Sequence, residues 1–286
     1  MINTSKISAK VVADSITKDG KRITSIVAVI PRIVLAELNT HRALSKNSAS
    51  SRAIPFAKMC DMVVNEPFIP MLFQKTHKGM QGTEQFTEVS DIAQCINMWL
   101  DARDKAVASA KELDNFGVTK QLCNRILEPF MYHTVLLTAT EWQNFIALRA
   151  HKDAEVHIQD FAYKVIDVLN ASTPRLLMEG EWHIPFGDNI LISGLEGLEA
   201  NTTKTIKIAT ARCARVSYNN FEGKDDYEAD VKLHDQLLES GHMSPFEHCA
   251  QATSGDTISG NFVGYVQYRK MFSGENRTDS RLTIKN

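Results

Sequence analysis

The sequence predicts a mixed α/β fold, and two patterns carry that prediction. Residues 8–16 and 22–30 are rich in Val and Ile and flank a K-D-G-K turn at 18–21, as expected of a β-hairpin. In residues 89–116, apolar side chains recur at helical spacing until Gly117, which is typical of a long amphipathic helix. A chain that holds both kinds of element combines a sheet with helices.

Most of the remaining chain follows helical spacing. Proline occupies the first turn of the helices predicted to begin at Pro31 and Pro55, where its missing N–H costs little. Thr140 is the predicted N-cap of a helix that runs to residue 150. Residues 65–87 are predicted to be a long loop, and residues 250–254 a short strand. The predicted helices span residues 31–38, 55–64, 89–116, 119–127, 140–150, 153–170, 203–215 and 227–240.

The composition describes an ordinary globular chain with no bulk charge. It holds 32 Lys and Arg against 34 Asp and Glu in 286 residues, a formal net charge of −2. This balance gives no general attraction to nucleic acid or to an anionic membrane, so an anion site must be local. Pro and Gly are concentrated at residues 171–201, which we interpret as a connector between a core at residues 1–170 and a C-terminal part at residues 202–286.

The cysteines and the start of the chain indicate a cytoplasmic protein. The five cysteines are scattered and never form a C-x-x-C pair, which argues against a disulfide framework and against a Cys-rich zinc site. No signal peptide and no apolar run long enough to cross a bilayer is visible in the sequence. We therefore expect a reducing environment and no metal centre.

Residues 40–52 read T-H-R-A-L-S-K-N-S-A-S-S-R and concentrate hydrogen-bond donors around two arginines. Arg42 and Arg52 carry planar guanidinium groups that suit phosphate or carboxylate. Ser and Asn side chains compete for backbone hydrogen bonds, so the helical pattern that precedes the segment ends there. Composition alone leaves two interpretations open: an anion-binding loop, or a polar loop that caps the next helix at Ser51 or Arg52.

Three further stretches place polar residues among apolar ones. W-Q-N-F-I-A-L-R at residues 142–149 places Asn144 and Arg149 near the two ends of one predicted helix, where hydrogen bonding between helices and dipole compensation are a sufficient explanation. A-R-V-S-Y at 214–218 and G-H-M-S-P-F-E-H at 241–248 flank the helix predicted at 227–240. His242 and His248 leave zinc ligation open, although their spacing is not that of a metalloprotease helix and Pro245 interrupts it.

Together these stretches resemble the flavin-dependent thymidylate synthase family. The family signature, R-H-R-x-x-S-x-N-E-x-S-x-R, is matched in register by His41, Arg42, Ser45, Asn47, Ser50 and Arg52. Thr40 stands in place of the first Arg of the signature, and Ser48 in place of its Glu. The family elements N-F-x-x-L-R, A-R-V-S-[FY] and G-H-x-[ST]-P-F-E-H also have counterparts here, but the last two precede the signature in the family and follow it in this chain.

The resemblance implies a fold, a cofactor and a reaction. The family has an α/β fold in which a curved, mainly antiparallel sheet is flanked by helices, and it forms homotetramers whose active sites lie between subunits. Its members bind FAD and transfer a one-carbon unit from methylenetetrahydrofolate to C5 of dUMP. Reduced flavin, regenerated by NADPH, donates the hydride, and no enzyme nucleophile is required.

By the same resemblance, residues of this chain take expected roles. Arg149 is expected to act in catalysis and, with Arg52 and Arg125, to converge on the phosphate of dUMP. Glu37 stands where the family commonly has Gln, and Asp153 stands where it has a flavin-contacting His, two residues after His151. The further expected dUMP contacts are Glu37, Ser45, Ser48 and Ser50. The expected flavin contacts are His41, Arg42, Ala43, Asn47, Asn144, Ser217, Ser244 and His242, the last of these also near the folate.

Two other functions are compatible with the departures at Thr40 and Ser48. One is hydroxymethylation of a pyrimidine deoxynucleotide, in which water instead of hydride attacks the one-carbon intermediate. The other is a catalytically inert relative that binds nucleotides or serves as a structural subunit. A weak internal similarity between residues 33–52 and 262–281 also places Arg269 opposite Thr40. Arg269 is therefore a candidate substitute for the missing Arg, and a solvated basic patch with Lys270 is the alternative.

Overall fold

The computed structural model describes residues 5–79, 82, 84–187, 198–216 and 226–275 of the chain. The strands are β1 (Ser8–Thr17), β2 (Arg22–Pro31), β3 (Ser45–Ser48), β4 (Tyr132–Ala139), β5 (Arg175–Leu177), β6 (Trp182–His183), β7 (Ala250–Ala252), β8 (Ile258–Ser259), β9 (Phe262–Val263) and β10 (Tyr265–Gln267). The helices are α1 (Leu35–Asn39), α2 (Phe56–Asn65), α3 (Val89–Asn115), α4 (Lys120–Leu127), α5 (Gln143–Arg149), α6 (Val156–Ala171), α7 (Leu198–Arg215) and α8 (Tyr227–Glu239).

A five-stranded sheet with the order β3-β4-β2-β1-β5 organises the fold, and only its β1–β5 pair is parallel. Two small antiparallel sheets, β10-β7-β6 and β8-β9, follow from the later part of the chain. The expected class, a mainly antiparallel sheet flanked by helices, is confirmed. The β1–β2 hairpin is also confirmed, and its turn requires Gly20, which has a φ of 79°. None of the helices that the structure describes is long and apolar enough to cross a membrane.

The two faces of the large sheet are covered by different parts of the chain. One face packs against α5 and α6 and is apolar, with Ile26 and Leu137 of the sheet meeting Phe145 and Phe161 of the helices. The other face meets α7 through Leu136 and is otherwise covered by the later part of the chain. Because each face is closed by a different region, the sheet connects the family-like segments to the C-terminal elements.

Two sequence predictions need correction near β4. No strand was predicted over Tyr132–Ala139, although β4 lies between β3 and β2 and pairs with both. Most of its residues are buried, so the run lacks the alternation of polar and apolar residues that marks a half-buried strand. Thr140 is not an N-cap, because α5 begins after Trp142. The Thr140 hydroxyl instead accepts a hydrogen bond from the backbone N–H of Val263 at 3.1 Å.

The predicted connector contributes strands to two sheets. Within residues 171–187, β5 extends the large sheet beside β1, and β6 pairs with β7. The division of the chain into residues 1–170, 171–201 and 202–286 stays a prediction. The proposed repeat is only partly visible, because residues 276–281 lie outside the described part of the chain.

Candidate functional site

The signature segment forms a turn at residues 41–44, then the edge strand β3, then a second turn before α2. Its strand pairs with β4 so that Ser45 lies opposite Thr138 and Asn47 opposite Leu136. Ser25 of β2 pairs with the other side of Thr138. Three hydroxyl side chains therefore stand in one row across three strands.

His41 is a buried hydrogen-bond acceptor at the start of this segment. Its side chain is 4% exposed, and its ring meets Phe145 edge-on at a centroid distance of 5.1 Å. Nε2 accepts a hydrogen bond from Nε of Arg149 at 2.8 Å. Burial and, after it, the charge of Arg149 lower the pKa of His41, against the opposing effect of a hydrogen bond with Asn144. The imidazole is therefore neutral at physiological pH.

Arg149 joins two distant motifs. Besides His41, its guanidinium donates to the backbone carbonyl of Glu37 at 3.4 Å and to the Thr40 hydroxyl at 3.2 Å. Thr40 is the position where the family has its first Arg, so Arg149 supplies a cation beside the residue that lacks one. Arg269 does not, because its guanidinium pairs with Glu247 and Glu275. The Arg269 side chain is 30% exposed within these two ion pairs, so the alternative of a solvated basic patch with Lys270 stays a prediction.

Two groups at this end of the segment lack partners among the described residues. Oε2 of Glu37 is buried with no hydrogen-bond donor in that part of the chain. The backbone N–H groups of Arg42 and Ala43 donate to no acceptor there, and the Arg42 side chain is exposed. The two N–H groups are thus available as donors to a ligand, and Glu37 holds an acceptor without a partner among the described residues.

The strand residues of the signature are held by the C-terminal elements. Ser45 is buried; its hydroxyl donates to Asn261 at 3.1 Å and accepts from Gln267 at 3.3 Å. The Asn47 amide donates to the backbone carbonyl of Cys213 in α7 at 2.6 Å. Ser244 donates to the backbone carbonyl of residue 46 at 3.1 Å. The family resemblance implies ligand contacts for Ser45, Asn47 and Ser244. In the structure these side chains bond other parts of the chain and so hold the segment in place.

The far end of the segment meets α4. Arg52 is exposed and donates to the side chain of Gln121 at 3.1 Å. Arg125 lies one helical turn beyond Gln121, is also exposed, and has no side-chain partner among the described residues. Glu128, three residues after Arg125, binds Ser51 and Arg32. Ser48 and Ser50 are half-buried between the two ends.

The structure thus brings the expected site residues together in two groups. His41, Asn144 and Arg149 meet at one end of β3, and Arg52 and Arg125 share the surface of α4 at the other. A four-residue strand, which spans roughly 13 Å, lies between the two groups, and the convergence of Arg149 with Arg52 and Arg125 on one phosphate stays a prediction. His242 is exposed, with Nδ1 bonded to the Ser240 hydroxyl at 3.1 Å, and Ser217 lies outside the described residues.

Sequence reasoning missed a buried polar chain beneath β3. The hydroxyl of Thr138 bonds Nδ1 of His248 at 2.8 Å and the hydroxyl of Ser25 at 2.6 Å. Ser25 then bonds Nε2 of His183 at 2.9 Å, and Nδ1 of His183 bonds Ser15 at 2.9 Å. These groups come from four distant segments, so no local spacing reveals the network. Burial lowers the pKa of both histidines to about 3, which makes them neutral hydrogen-bonding residues.

The same network bears on the zinc alternative. Nδ1 of His248 bonds the Thr138 hydroxyl, while His242 lies exposed at the other end of the segment 241–248. Within the described ranges, no three His, Cys, Asp or Glu side chains are grouped as metal ligands. Nδ1 of His248 is therefore explained by its contact with the sheet, while its buried Nε2 has no partner among the described residues.

Residues 22–175, more than half of the chain, match the family model described as Thy1, thymidylate synthase complementing protein. The fold, the signature turn and this match define the class: the chain belongs to the Thy1 family of flavin-dependent thymidylate synthases. A curated relative, the flavin-dependent thymidylate synthase of Kosmotoga olearia, is 26% identical over 148 residues. That alignment covers 51% of this chain and 61% of the length of the relative.

Two solved structures of the UMP/dUMP methylase PolB from Streptomyces cacaoi are also similar to the chain. The complex with 5-Br UMP is 15% identical, with a TM-score of 0.48, and the match covers 62% of this chain and 93% of that one. The complex with 5-Br dUMP is 15% identical, with a TM-score of 0.45, and covers 61% and 92% respectively.

Proposed function

We propose that this chain is an FAD-dependent thymidylate synthase that transfers a one-carbon unit from methylenetetrahydrofolate to C5 of dUMP. The observation that carries the proposal is the contact of His41 with Arg149 and Asn144. It joins the two segments that match the family signatures, which lie about a hundred residues apart in sequence. Two such segments that meet in space support one shared site.

The turn at residues 41–44 fits an anionic dinucleotide. Arg42 is exposed, and the adjacent N–H groups of Arg42 and Ala43 are available as donors, a combination that suits a diphosphate. Neutral His41 accepts from Arg149 and so keeps that guanidinium beside the turn. FAD in its reduced form would supply the hydride that converts the transferred methylene to a methyl group, with NADPH as the source of electrons.

The surface of α4 fits the phosphate of the nucleotide. Arg52 and Arg125 present two exposed guanidinium groups on one side of the helix, and charge-assisted contacts of this kind bind phosphate strongly. Because Arg149 lies at the other end of β3, a second copy of the chain would bring its guanidinium to the nucleotide held by Arg52 and Arg125. In the proposed enzyme, Arg149 polarises the pyrimidine of a site completed by the partner.

Self-association also accounts for exposed apolar side chains. Helix α3 has 27 residues, yet only Arg103, Val107 and Ala110 are buried in one chain. Large exposed apolar patches mark contact surfaces. The exposed apolar residues on α3 and on the segment that follows it are Val89, Met98, Phe116, Leu122 and Ile126. We expect a homotetramer, which sedimentation of the purified protein tests.

The decisive experiment is mass analysis of products formed from dUMP, methylenetetrahydrofolate, NADPH and FAD. The proposal predicts dTMP and no product when FAD or NADPH is omitted. Absence of a flavin absorption band in the purified protein, with no saturable FAD binding, supports the inert alternative instead. A product with an added hydroxymethyl group supports hydroxymethylation.

One observation favours a second substrate in the same assay. The buried Oε2 of Glu37 is an acceptor without a donor in the described part of the chain, and a carboxylate, unlike the Gln common in the family, offers no N–H of its own. An exocyclic amino group, as in cytosine, supplies such a donor. dCMP therefore belongs beside dUMP in the assay, with a Glu37→Gln variant to test whether the preference follows residue 37.

A further inference from the structure

Lys46 lies in the middle of β3, at a position where the family signature has no fixed residue. Its side chain is half-buried. Nζ donates to the backbone carbonyl of His41 at 2.5 Å and to that of Leu44 at 2.9 Å. These carbonyls are the first and last of the turn that carries Arg42 and Ala43. One ammonium group therefore closes the turn.

Asn261 holds the same turn from the C-terminal side. Its amide donates to the backbone carbonyl of Ala43 at 2.8 Å, and its Oδ1 accepts from the Ser45 hydroxyl at 3.1 Å. Gln267 donates to Oδ1 of Asn261 at 3.1 Å and so fixes the amide orientation. Three of the four carbonyls in residues 41–44 are thus occupied by side chains from outside the turn.

While the carbonyl groups of the turn are bonded, its N–H groups are left without partners. With those carbonyls held by Lys46 and Asn261, the N–H groups of Arg42 and Ala43 have no acceptor among the described residues. Successive free N–H groups form a concavity that binds anions. The exposed Arg42 adds a positive charge beside these donors, while the Lys46 ammonium lies on the carbonyl side and keeps the turn closed.

The Lys46 ammonium group loses its proton at a pH not far above the physiological range. Burial, and next the charge of Arg42, lower the pKa of Lys46 to about 8, while Glu247 acts in the opposite direction. Glu247 is itself paired with Arg269, which limits its effect. On β4, the residue opposite Lys46 is the apolar Leu137, which contributes no charge. Another titratable neighbour is His41, and burial, Arg149 and Lys46 lower the pKa of that imidazole from its ordinary value.

We propose that Lys46 is a positioning residue for the flavin diphosphate: its ammonium group holds residues 41–44 in the shape that presents the N–H groups of Arg42 and Ala43. The inference rests on the proposed function only for the identity of the anion. Asn261 shares the task but does not titrate. The two residues therefore differ in what pH does to binding.

The test measures FAD affinity by flavin fluorescence from about pH 6.5 to about pH 9.5, a range that brackets the titration of Lys46. Wild-type affinity should fall about fivefold to tenfold across this range as the ammonium group loses its charge. Lys46→Arg should keep the affinity found at low pH and lose the dependence on pH, because guanidinium does not titrate there. Lys46→Met should bind weakly at every pH.

Two further variants separate positioning from general damage. Asn261→Leu should weaken FAD binding at each pH and keep the wild-type pH dependence. Lys18→Met, at an exposed lysine of the hairpin turn, should match wild type in both respects. Wild-type affinity and pH dependence in Lys46→Met would overturn the inference.

Failure of the proposed function is recognised separately. If wild type binds no FAD at any pH, that proposal is wrong, and amide hydrogen exchange of residues 41–44 then decides the role of Lys46. Faster exchange at Leu44, whose N–H bonds the His41 carbonyl that Lys46 also holds, in Lys46→Met than in Lys18→Met supports the role. Equal exchange in the two variants overturns it.

Discussion

The two halves of the signature segment differ in how firmly the chain holds them. Residues 40–47 receive side-chain hydrogen bonds from Arg149, Asn261 and Ser244, and Asn47 bonds α7 in return. Residues 48–52 pair with β4 through Ser48 and the Ala49 N–H, but among the described residues their side chains bond only α4 and the turn after it, through Arg52 and Ser51. The first half is therefore set before a ligand arrives, whereas Arg52 of the second half, with Arg125 of α4 beside it, is exposed to one.

The largest expected effect is the loss of support for the first half in acid. Ser45 pairs with Thr138, which is bonded to His248 and, through Ser25, to His183. The folded pKa of each histidine, about 3, is far below the unfolded value of about 6.5. Between these values the unfolded chain binds more protons, so stability is present above about pH 6.5 and is lost as pH falls. From about pH 6.5 to about pH 4.5, the two histidines should cost about 5 kcal/mol of unfolding free energy.

Urea unfolding at several pH values measures this loss. Carboxylates also contribute to acid denaturation, so the informative quantity is the change in slope for His248→Gln, whose amide keeps a partner for Thr138. This variant should lose about 1.4 kcal/mol of dependence per pH unit. An unchanged slope would show that His248 is protonated in the folded state.

The next effect concerns the bond between the first half and α7. Asn47→Ala should destabilise the fold by about 1–3 kcal/mol, because it removes the side-chain donor to the carbonyl of the buried Cys213. Chemical denaturation measures the change. Asn115→Ala, at the exposed end of α3, is the matched control and should stay within about 0.5 kcal/mol of wild type.

The outcome also sorts the two roles of Asn47. A loss of stability with FAD affinity unchanged assigns the side chain to the α7 contact. A loss of FAD affinity at full stability contradicts that assignment and places Asn47 in the flavin site, as the family resemblance implies.

The sequence could predict the parts of this contrast that have a local pattern. The β1–β2 hairpin and α3 follow from turn residues and helical spacing, and the signature residues follow from their register with the family. Strand β4 is not predictable in this way, because almost all of its residues are buried and the run lacks the alternation of polar and apolar residues. Lys46 was a variable position between two matched ones, and its role depends on carbonyls at residues 41 and 44. The histidine network needs four segments to be placed in space first.

A smaller effect tests the open half. Under the proposed function, Arg125→Ala should weaken dUMP binding about tenfold, since it removes one charge-assisted phosphate contact. FAD affinity and stability should remain near wild type, because Arg125 is exposed and holds no other described residue. Calorimetric titration with dUMP measures the change. Lys105→Ala, exposed on α3, is the control, and equal losses for dUMP and FAD would contradict a phosphate role.

The smallest effect concerns Arg269, the candidate substitute for the Arg missing at Thr40. Because its guanidinium pairs with Glu247 and Glu275 instead, Arg269→Ala should change FAD affinity less than about twofold near neutral pH. It should, however, free the carboxylate of Glu247 to act more strongly on Lys46, whose pKa that carboxylate raises. The pH at which FAD affinity begins to fall should therefore move upward. A tenfold or greater loss near neutral pH would instead place Arg269 in the flavin site and make the first half of the signature less complete than its contacts indicate.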